Sequence, residues 1–373
     1  MSKTNTTDVD VAIVGAGPAG TAAAYDLCRA GKSVLLLDRH AFPRHKACAG
    51  GLTVKTLRAL RYSVDPVIRK RCRNLVVGQG FVRKTEFSGR QMICAMTVRS
   101  EFDNFCLEKA VAAGARFQTI DHIDAIRKHR NFVDVTTGTG SVRAAFLIGT
   151  DGAHSRVRRL SGEFPRKYHG FAIEGRLPCD PQHLPKMEFD FHVAAAGYGW
   201  IFPKHNHINI GLFTGNSRVT LNRQDLRDYA WRKLGRKDVD AISGHHMGMG
   251  GWHYHPRSRR ILLAGDAAGM VDPLLGEGLY NAVKSGQLAA RAIGAEKSYG
   301  KPAGYIYNRL LKNIRQDLLY CRIASLWFYK MPHFGHCALA SRPARYSLMK
   351  GFAMGLPLGR IGTNFFRLPF LTS

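Results

Sequence analysis

The chain has 373 residues, and its 45% of hydrophobic residues exclude general disorder while allowing two closely joined domains or one large domain with a helical appendage. Its polar N-terminus lacks the apolar core of a signal peptide, and no apolar run reaches about 18 residues, so we expect a cytoplasmic protein without transmembrane helices. The net charge of +28 indicates an anionic partner, and we do not expect nucleic acid because no recognition motif accompanies the charge.

The first predicted elements form a strand–helix–strand unit. Residues 9–14 (VDVAIV) and 33–38 (SVLLLD) predict two strands, with a helix over about 21–30 that Gly31 ends. Residues 15–20 (GAGPAG) lie between the first strand and the helix. This order is typical of a dinucleotide-binding βαβ unit, so it predicts a nucleotide cofactor, either NAD or FAD.

Each glycine of that turn has a predicted task. Gly15 permits the tight turn, Gly17 lets a pyrophosphate approach the backbone, and Gly20 allows close packing of the helix. The N-terminus of the helix faces the phosphates with its partial positive charge. Asp38, 18 residues after Gly20, is placed to bind the ribose hydroxyls.

Residues 43–53 (PRHKACAGGLT) follow the second strand closely, so we expect them to fold back toward the cofactor. They contain Cys48, one of eight cysteines in the chain. No two of the eight have CxxC spacing, so the pattern predicts no metal site and mostly buried, reduced thiols.

A later stretch, residues 196–204, reads AGYGWIFPK between two segments of alternating polarity. The alternation predicts two strands that meet near an aromatic turn. Tyr198, Trp200 and Phe202 either form only the corner of a sheet or line a binding pocket. We expect the glycines between them to let the strand pass close to a ligand.

Residues 261–283 (ILLAGDAAGMVDPLLGEGLYNAV) predict a strand that ends at Gly265 and Asp266, followed by a Gly-rich loop and a helix. Backbone N–H groups around residues 276–279 would stabilise negative charge on a bound cofactor. We interpret Asp272 as a cap of this loop rather than as a catalytic acid.

Three stretches resemble motifs of the FAD-dependent monooxygenase and reductase superfamily. Residues 261–283 resemble its second flavin motif, in which the aspartate, here Asp266, binds the ribityl chain. Residues 146–159 (FLIGTDGAHSRVRR) resemble its DG motif, and Arg99 with Asp103 resembles the start of its cofactor-supporting helix. The resemblance implies that the cofactor is FAD.

Two further motifs resemble the geranylgeranyl reductase family. Its P-R-x-K-x-C-G-G segment is matched over residues 43–51, with Ala49 where a Gly is more usual. Its YxWxFP motif is matched over residues 198–203, and both occur together with residues 273–278 (PLLGEG). The resemblance covers roughly residues 8–295 and implies that reduced FAD saturates carbon–carbon double bonds of a polyprenyl lipid.

The resemblance also implies separate roles for the flavin and for the residues around it. The aromatic strand would hold an apolar chain across the flavin, which carries the hydride chemistry. Cys48 is a candidate proton donor or a small apolar contact, and Tyr198 is the second candidate donor. The sequence does not name the electron donor, for which we expect NADPH or a reduced carrier protein.

The residues expected to contact substrate are Tyr198, Trp200, Phe202 and Pro203. The residues expected to bind FAD are Gly15, Gly17, Ala19, Gly20, Asp38, Arg39, Arg44, Lys46, Gly50, Gly51, Arg99, Asp151, Gly152, Arg156, Gly265, Asp266, Pro273, Gly276, Gly278 and Leu279.

The expected fold class is α/β, with a discontinuous Rossmann-like FAD-binding domain, an antiparallel β-sheet substrate domain and a C-terminal helical segment. The FAD-binding domain would comprise residues 1–75, 95–160 and 255–300. The substrate domain would comprise residues 76–94 and 161–254, and the helical segment residues 301–373.

The segment from Lys301 onward is basic and aromatic. It holds eleven Lys or Arg, one acidic residue and twelve aromatic residues. This composition suits peripheral contact with an anionic membrane at its cytoplasmic face, although a helical cap with a solvated basic face is an alternative. We expect a helix that ends at Met331-Pro332, with apolar spacing at Leu310, Leu311, Ile314, Leu318 and Ile323.

Other functions on the same scaffold stay open at this point. An oxygen-using hydroxylase or epoxidase shares the glycine-rich, DG and GD motifs. A flavin halogenase has a similar W-x-W-x-I-P element, but Tyr198 and Phe202 replace its first Trp and its Ile. A flavin-binding, lipid-associated protein of low turnover that affects envelope resistance is the non-enzymatic alternative.

Overall fold

Apolar and β-branched runs of the sequence form strands, as their composition favours. The computed structural model describes residues 6–138, 140–165, 168–331 and 341–361. The strands are β1 (Thr6–Val14), β2 (Val34–Asp38), β3 (Gly51–Thr53), β4 (Ile68–Cys72), β5 (Leu75–Gln79), β6 (Arg83–Phe87), β7 (Cys94–Thr97), β8 (Arg116–Thr119), β9 (Ile123–Lys128), β10 (Val133–Thr137), β11 (Gly140–Gly149), β12 (Tyr168–Pro178), β13 (Met187–Phe191), β14 (Gly197–Pro203), β15 (His207–Thr214), β16 (Asp240–Met249) and β17 (Ile261–Leu263).

Helices connect the strands and follow them at the end of the chain. They are α1 (Pro18–Arg29), α2 (Val54–Ala59), α3 (Arg99–Ala112), α4 (Arg156–Ser161), α5 (Arg223–Leu234), α6 (Leu279–Tyr299), α7 (Ala303–Leu310), α8 (Lys312–Lys330) and α9 (Arg342–Ala353).

The first sheet is parallel along the order β8-β2-β1-β11-β17, and the hairpin of β9 and β10 adds to β11 in antiparallel fashion. β2 is buried along its whole length, which is typical of a parallel strand covered on both faces. Helices α1 and α6 pack closely, because a β-carbon on Gly286 would lie 2.1 Å from the carbonyl oxygen of Ala19. This contact brings the N-terminal ends of α1 and α6 to the same edge of the sheet.

The second sheet has the order β16-β12-β15-β14-β13-β5-β6 and is antiparallel except for the pair β13–β5. Side chains of β14 alternate between its faces. Tyr198, Trp200 and Phe202 join one apolar cluster, whereas Ile201 packs with Tyr229 of α5 in another. The aromatic residues therefore face away from α5.

A small third sheet, β3-β7-β4, lies beside α3. A β-carbon on Gly50 would lie 2.2 Å from the carbonyl oxygen of Thr97, so the end of the 43–51 segment runs directly against β7. This contact holds the segment between the two larger sheets.

The predicted fold class is confirmed, with a parallel nucleotide-binding sheet and an antiparallel second sheet. The division of the chain into domains at particular residues stays a prediction.

The C-terminal helical prediction is partly wrong. The helix is interrupted at Leu311 between α7 and α8, and α8 ends at Lys330, directly before Met331. Leu311, Ile314 and Leu318 are buried, but Ile323 is 51% exposed because it lies on the opposite face of α8. Leu310 is half-buried. Pro332, Cys337 and the end of the tail lie outside the described residues.

The expected role of the glycines in β14 is also wrong. A β-carbon on Gly199 would lie 2.3 Å from the ring of Tyr229, and one on Gly197 would lie 1.8 Å from the carbonyl oxygen of Phe213. Both glycines make room for neighbouring protein atoms rather than for a ligand.

The substitution Gly199→Ala therefore tests the packing of α5 on the second sheet. We expect it to lower the free energy of unfolding in urea by about 1–3 kcal/mol, because the new methyl group overpacks the ring of Tyr229. Gly294→Ala in α6 is the control, since its β-carbon meets open space and helix propensity favours alanine by about 0.5–1 kcal/mol. A Gly199→Ala variant as stable as the wild type would contradict this explanation.

Candidate active site

A cavity of about 880 Å³ lies where the first and second sheets meet. One end is polar and includes the turn after β1, the end of β2 and the arginines of the 43–51 segment and α3. The other end is apolar and reaches α8 and α9 through Phe328, Leu348 and Phe352. The volume is at the upper end of the range for small-molecule sites, about 300–1,000 Å³.

The polar end is built on the turn between β1 and α1. Gly15 has a φ of +104°, and a β-carbon there would lie 2.4 Å from the carbonyl oxygen of Thr150. α1 begins after Gly17 with no side-chain cap, so backbone N–H groups of its first turn face the cavity without a side-chain partner among the described residues. These donors favour an anionic group such as a pyrophosphate.

Asp38 and Gly20 support this turn in different ways. The Asp38 carboxylate accepts hydrogen bonds from the backbone N–H of Ala16 at 2.7 Å and of His40 at 3.0 Å, and its side chain lines the cavity. Gly20 does not line the cavity, because it packs under the turn with its β-carbon position 1.9 Å from the carbonyl oxygen of Gly15. This position agrees with the predicted role of Gly20 in close packing, and its direct contact with the cofactor stays a prediction.

Two arginines share one buried carboxylate. Arg99 donates two hydrogen bonds of 2.8 Å to Asp103, and Arg44 lies 3.3 Å from the same carboxylate. The Nε of Arg44 is buried and has no hydrogen-bond partner within the described part of the chain. Burial lowers the pKa of Arg44, while Asp103 opposes that shift. A phosphate in the cavity would satisfy this guanidinium.

The carboxylate of the DG segment binds the start of α4. Asp151 accepts hydrogen bonds from Ser155 Oγ at 2.5 Å and from the backbone N–H groups of Arg156 and Val157 at 2.6 and 3.0 Å. Gly152 has a φ of +82° with open space around its β-carbon position, so chain geometry explains the glycine. Asp151, Gly152 and Arg156 all line the cavity.

A second uncapped helix N-terminus lies at the loop before α6. Helix α6 begins at Leu279 after Gly278 and has no side-chain cap among the described residues. Asp266 lines the cavity nearby, and burial raises the pKa of its carboxyl while the ammonium of Lys46 opposes the shift. The arrangement favours a ligand with negative charge at this end.

The loop itself is fixed by Asp272. Its carboxylate accepts hydrogen bonds from the backbone N–H of Leu274 at 2.7 Å and of Leu275 at 3.1 Å. Burial raises the pKa of Asp272 to about 6. Its contacts agree with the interpretation of Asp272 as a loop cap. Pro273, next to it, lies outside the cavity lining, and its contact with the cofactor stays a prediction.

The aromatic wall is tied to this loop. The hydroxyl of Tyr198 donates to the carbonyl oxygen of Leu275, and burial raises the pKa of Tyr198. The indole Nε1 of Trp200 donates to Asn209 Oδ1 at 2.7 Å, and Asn209 Nδ2 donates to Glu174 at 3.1 Å. These bonds fix the rings that face the cavity.

Most predicted site residues are brought together. The cavity lining includes both proton-donor candidates, Cys48 and Tyr198, as well as Trp200 and Phe202. Pro203 is buried in the sheet and lies outside the cavity lining, so its substrate contact stays a prediction. The predicted FAD residues that line the cavity are Gly15, Gly17, Ala19, Asp38, Arg39, Arg44, Lys46, Gly50, Gly51, Arg99, Asp151, Gly152, Arg156, Gly265, Asp266, Gly276, Gly278 and Leu279.

Three further residues were missed by the sequence analysis. Glu174 and His245 line the cavity from β12 and β16, and Asn209 on β15 orients Trp200. Burial lowers the pKa of His245 to about 3, and its Nε2 has no hydrogen-bond partner in the described ranges. Asn209 interrupts the apolar run of β15 between Ile208 and Ile210, which is the sequence signal that points to it. In the sheet it pairs with Phe202.

The residues present fit FAD. The unpartnered Nε of Arg44 and Nε2 of His245, together with the uncapped starts of α1 and α6, offer hydrogen-bonding groups along one cavity. The α1 end, with Arg44 and Asp38, would hold the adenosine and pyrophosphate part, and the α6 end would hold the flavin ring. FAD bound there supplies hydride chemistry.

Comparison with known proteins agrees with this geometry. Residues 8–173 match the FAD binding domain family. An uncharacterised protein of Methanosarcina barkeri is 32% identical over 353 residues, which are 94% of this chain and 88% of the relative. A menaquinone reductase of Mycobacterium tuberculosis is 33% identical over 318 residues, 76% of each chain. A geranylgeranyl diphosphate reductase of Synechocystis sp. is 29% identical over 325 residues, 78% of this chain and 76% of the relative.

Two solved structures share the fold. A geranylgeranyl bacteriochlorophyll reductase-like protein of Thermoplasma acidophilum superposes with a TM-score of 0.79 at 20% identity, covering 98% of this chain and 100% of that one. A flavin-dependent brominase superposes with a TM-score of 0.75 at 18% identity, covering 97% and 98%. At these identities the likeness shows the fold alone.

The substitution Arg44→Met tests the assignment of the polar end. We expect FAD to bind at least about tenfold more weakly, because a charge-assisted hydrogen bond of about 1.5–3 kcal/mol is lost. Titration of the apoprotein followed by flavin fluorescence measures the dissociation constant. Arg61→Met, which removes an arginine paired with Asp26 at the surface, is the control and should bind FAD as the wild type does. Equal weakening by both would contradict the assignment.

Proposed function

Because this chain belongs to the geranylgeranyl reductase family of FAD-dependent oxidoreductases, we propose that it reduces carbon–carbon double bonds of a polyprenyl lipid. FAD supplies the hydride, and the protein holds the chain, excludes water and provides the proton. The observation that carries this proposal is the apolar arm that continues from the flavin end of the cavity.

The apolar arm suits a long hydrocarbon chain. Its wall combines the aromatic face of β14 with side chains from the second sheet, the 272–276 loop and the C-terminal helices. They include Leu75, Val77, Ile93, Met187, Phe189, Phe191, Tyr198, Trp200, Phe202, Phe213, Leu274, Leu275, Phe328, Leu348, Phe352 and Leu358. Burial of a polyprenyl chain here would gain about 25 cal/mol per Å² of apolar surface. A small phenolic substrate would cover only a fraction of this wall.

The names of the relatives support the same substrate class. One acts on menaquinone and another on geranylgeranyl diphosphate, and both compounds carry a polyprenyl chain. The apolar arm is the feature of this chain that matches what the two compounds share.

We also propose that α8 docks the protein on an anionic membrane. Leu319, Ile323, Leu326 and Trp327 lie at helical spacing on one face and are 46%, 51%, 41% and 63% exposed. The neighbouring residue Phe328 lines the apolar arm of the cavity, so this surface lies beside the end of the substrate site. The net charge of +28 favours an anionic lipid surface. Across the described residues, no helix is both long and apolar enough to cross a membrane.

The proposed reaction is tested anaerobically. The bound FAD is reduced with dithionite, which makes the test independent of the natural electron donor, and a geranylgeranyl lipid is added. We expect flavin reoxidation and a lipid product heavier by two hydrogens for each double bond reduced. Absence of reoxidation with any polyprenyl lipid, together with NAD(P)H oxidation driven by a phenol in air, would favour the hydroxylase alternative.

Trp200→Ala tests the aromatic wall in that assay. We expect the single-turnover rate to fall at least about tenfold, because the chain loses a surface that orients it over the flavin, while FAD affinity changes little. Trp252→Ala is the control, since Trp252 stacks on Tyr168 and does not line the cavity. If turnover and FAD affinity fall equally, the aromatic residues of β14 have only a structural role.

Trp327→Glu tests the docking surface. We expect sedimentation with phosphatidylglycerol-containing vesicles to weaken at least about tenfold, since a charge replaces an apolar anchor. Trp231→Glu on α5 is the matched control, because Trp231 is 54% exposed on a different surface. If both variants bind vesicles equally, α8 is not the docking surface.

A further inference from the structure

A small polar pocket of about 20 Å³ lies behind the 43–51 segment, separate from the apolar arm. It is large enough for one water molecule, which needs about 10–15 Å³. Its lining includes Cys48, Glu174, Arg176, Lys204, His207 and Asn209. The residues that also line the main cavity, and so form the wall between the two spaces, are His45, Lys46, Cys48, Arg99 and Glu174.

Lys204 is, with Arg99, a buried cation of this pocket. Its side chain is almost fully buried, and its Nζ donates to the carbonyl oxygens of Ala49 at 2.5 Å and Gly50 at 3.3 Å, the two residues that follow Cys48. Burial lowers the pKa of Lys204 to about 8, which puts its proton within reach of transfer near neutral pH.

Several titratable groups face Lys204. The thiols of Cys48, Cys94 and Cys72 and the carboxylate of Glu174 favour its charged form. His207 lies at the same pocket, and burial with the nearby charges of Arg176 and Lys204 lowers the pKa of His207 to about 4. His207 is therefore neutral near pH 7.

The Cys48 sulfur lies beside a backbone donor and a buried guanidinium. The backbone N–H of Gly50 donates to Cys48 Sγ at 3.4 Å, and the Arg99 guanidinium lines the same pocket as the sulfur. Arg99 is held in place by Asp103 and keeps its own proton, so it stabilises the sulfur without supplying a proton to it. A thiolate left after proton transfer would be stabilised at this position.

We propose that Lys204 returns the proton to Cys48 through this polar pocket. The inference rests on the proposed reduction of a polyprenyl double bond. The Cys48 S–H bond breaks and its proton goes to one alkene carbon, while the hydride that FAD supplies goes to the other. The Nζ–H bond of Lys204 then breaks, and its proton restores the thiol directly or through one water. The neutral amine regains a proton from solvent at the pocket.

Other groups around the cavity are less suited to this step. Tyr198 holds its proton in a hydrogen bond to the carbonyl oxygen of Leu275, and burial raises its pKa. Lys46 faces Asp266 at the cofactor side, although burial also lowers the pKa of Lys46 to about 8. Lys46 also lines the polar pocket, but it lines the main cavity as well. Lys204 lines only the polar pocket of these two spaces and donates to the carbonyl oxygens of Ala49 and Gly50.

The test compares Lys204→Gln, Lys204→Met and Lys233→Gln in the FAD-loaded protein. Glutamine keeps a donor for the carbonyl oxygens of Ala49 and Gly50 but removes the charge, whereas methionine removes both. Lys233, a buried lysine paired with Glu188 and Asp190 and outside the cavity lining, controls for the loss of a buried charge. Alkylation of Cys48 by iodoacetamide is followed peptide by peptide with mass spectrometry from pH 5 to 10.

In both Lys204 variants, we expect iodoacetamide to alkylate Cys48 about tenfold more slowly than in the wild type at pH 7. The reason is that the thiolate form of Cys48 loses its neighbouring cation. The pH of half-maximal alkylation should rise by about one unit in both, and Lys233→Gln should behave as the wild type. A wild-type alkylation profile in Lys204→Gln overturns the proposal. So does an effect confined to Lys204→Met, since that would mean a structural role for the lysine.

The anaerobic assay separates this proposal from the proposed function. Under single turnover, we expect Lys204→Gln to shift the pH profile of lipid reduction without changing FAD affinity. Normal reduction with an unchanged pH profile in Lys204→Gln overturns the relay and leaves the proposed function standing. Failure of the wild type to reduce any polyprenyl lipid overturns the proposed function, whatever the alkylation profile of Cys48.

Discussion

The arrangement of the site depends on the close packing of two helices that both begin without a side-chain cap. Gly286 lets α6 lie against the backbone of Ala19 in α1, so both helix N-termini open toward one cavity. Uncapped backbone N–H groups are stable only with water or a ligand, and their partial positive charge selects an anionic ligand. A dinucleotide satisfies both ends at once.

The second sheet adds an apolar wall to the same cavity. The alternation of β14 turns one row of aromatic side chains toward the ligand, and its glycines admit α5 on the other face. The hydrogen bonds of Tyr198 and Trp200 end on protein groups, so the rings present apolar surface to the cavity. A polar cofactor site therefore continues into an apolar arm, which is the combination that reduction of a lipid by a flavin requires.

The sequence predicted those parts of the site that are local along the chain. The βαβ unit and the 261–283 segment are contiguous, so their turns and helix starts are visible as motifs. Contacts of Lys204 with the 43–51 segment span 154 residues, and the orientation of Trp200 by Asn209 depends on strand pairing, so neither is a local pattern. Motif membership also does not separate a residue that lines the cavity from one that supports its neighbours, and Gly20 and Pro203 lie outside the lining.

The central claim is that one cavity holds FAD and a polyprenyl chain side by side. Titration of the oxidised, FAD-loaded protein with a geranylgeranyl lipid, followed by the flavin absorption spectrum, tests it most directly. We predict a saturable spectral shift with the lipid and none with a small phenol, because only a long chain fills the apolar arm next to the flavin ring. A shift with the phenol and none with the lipid would contradict the account.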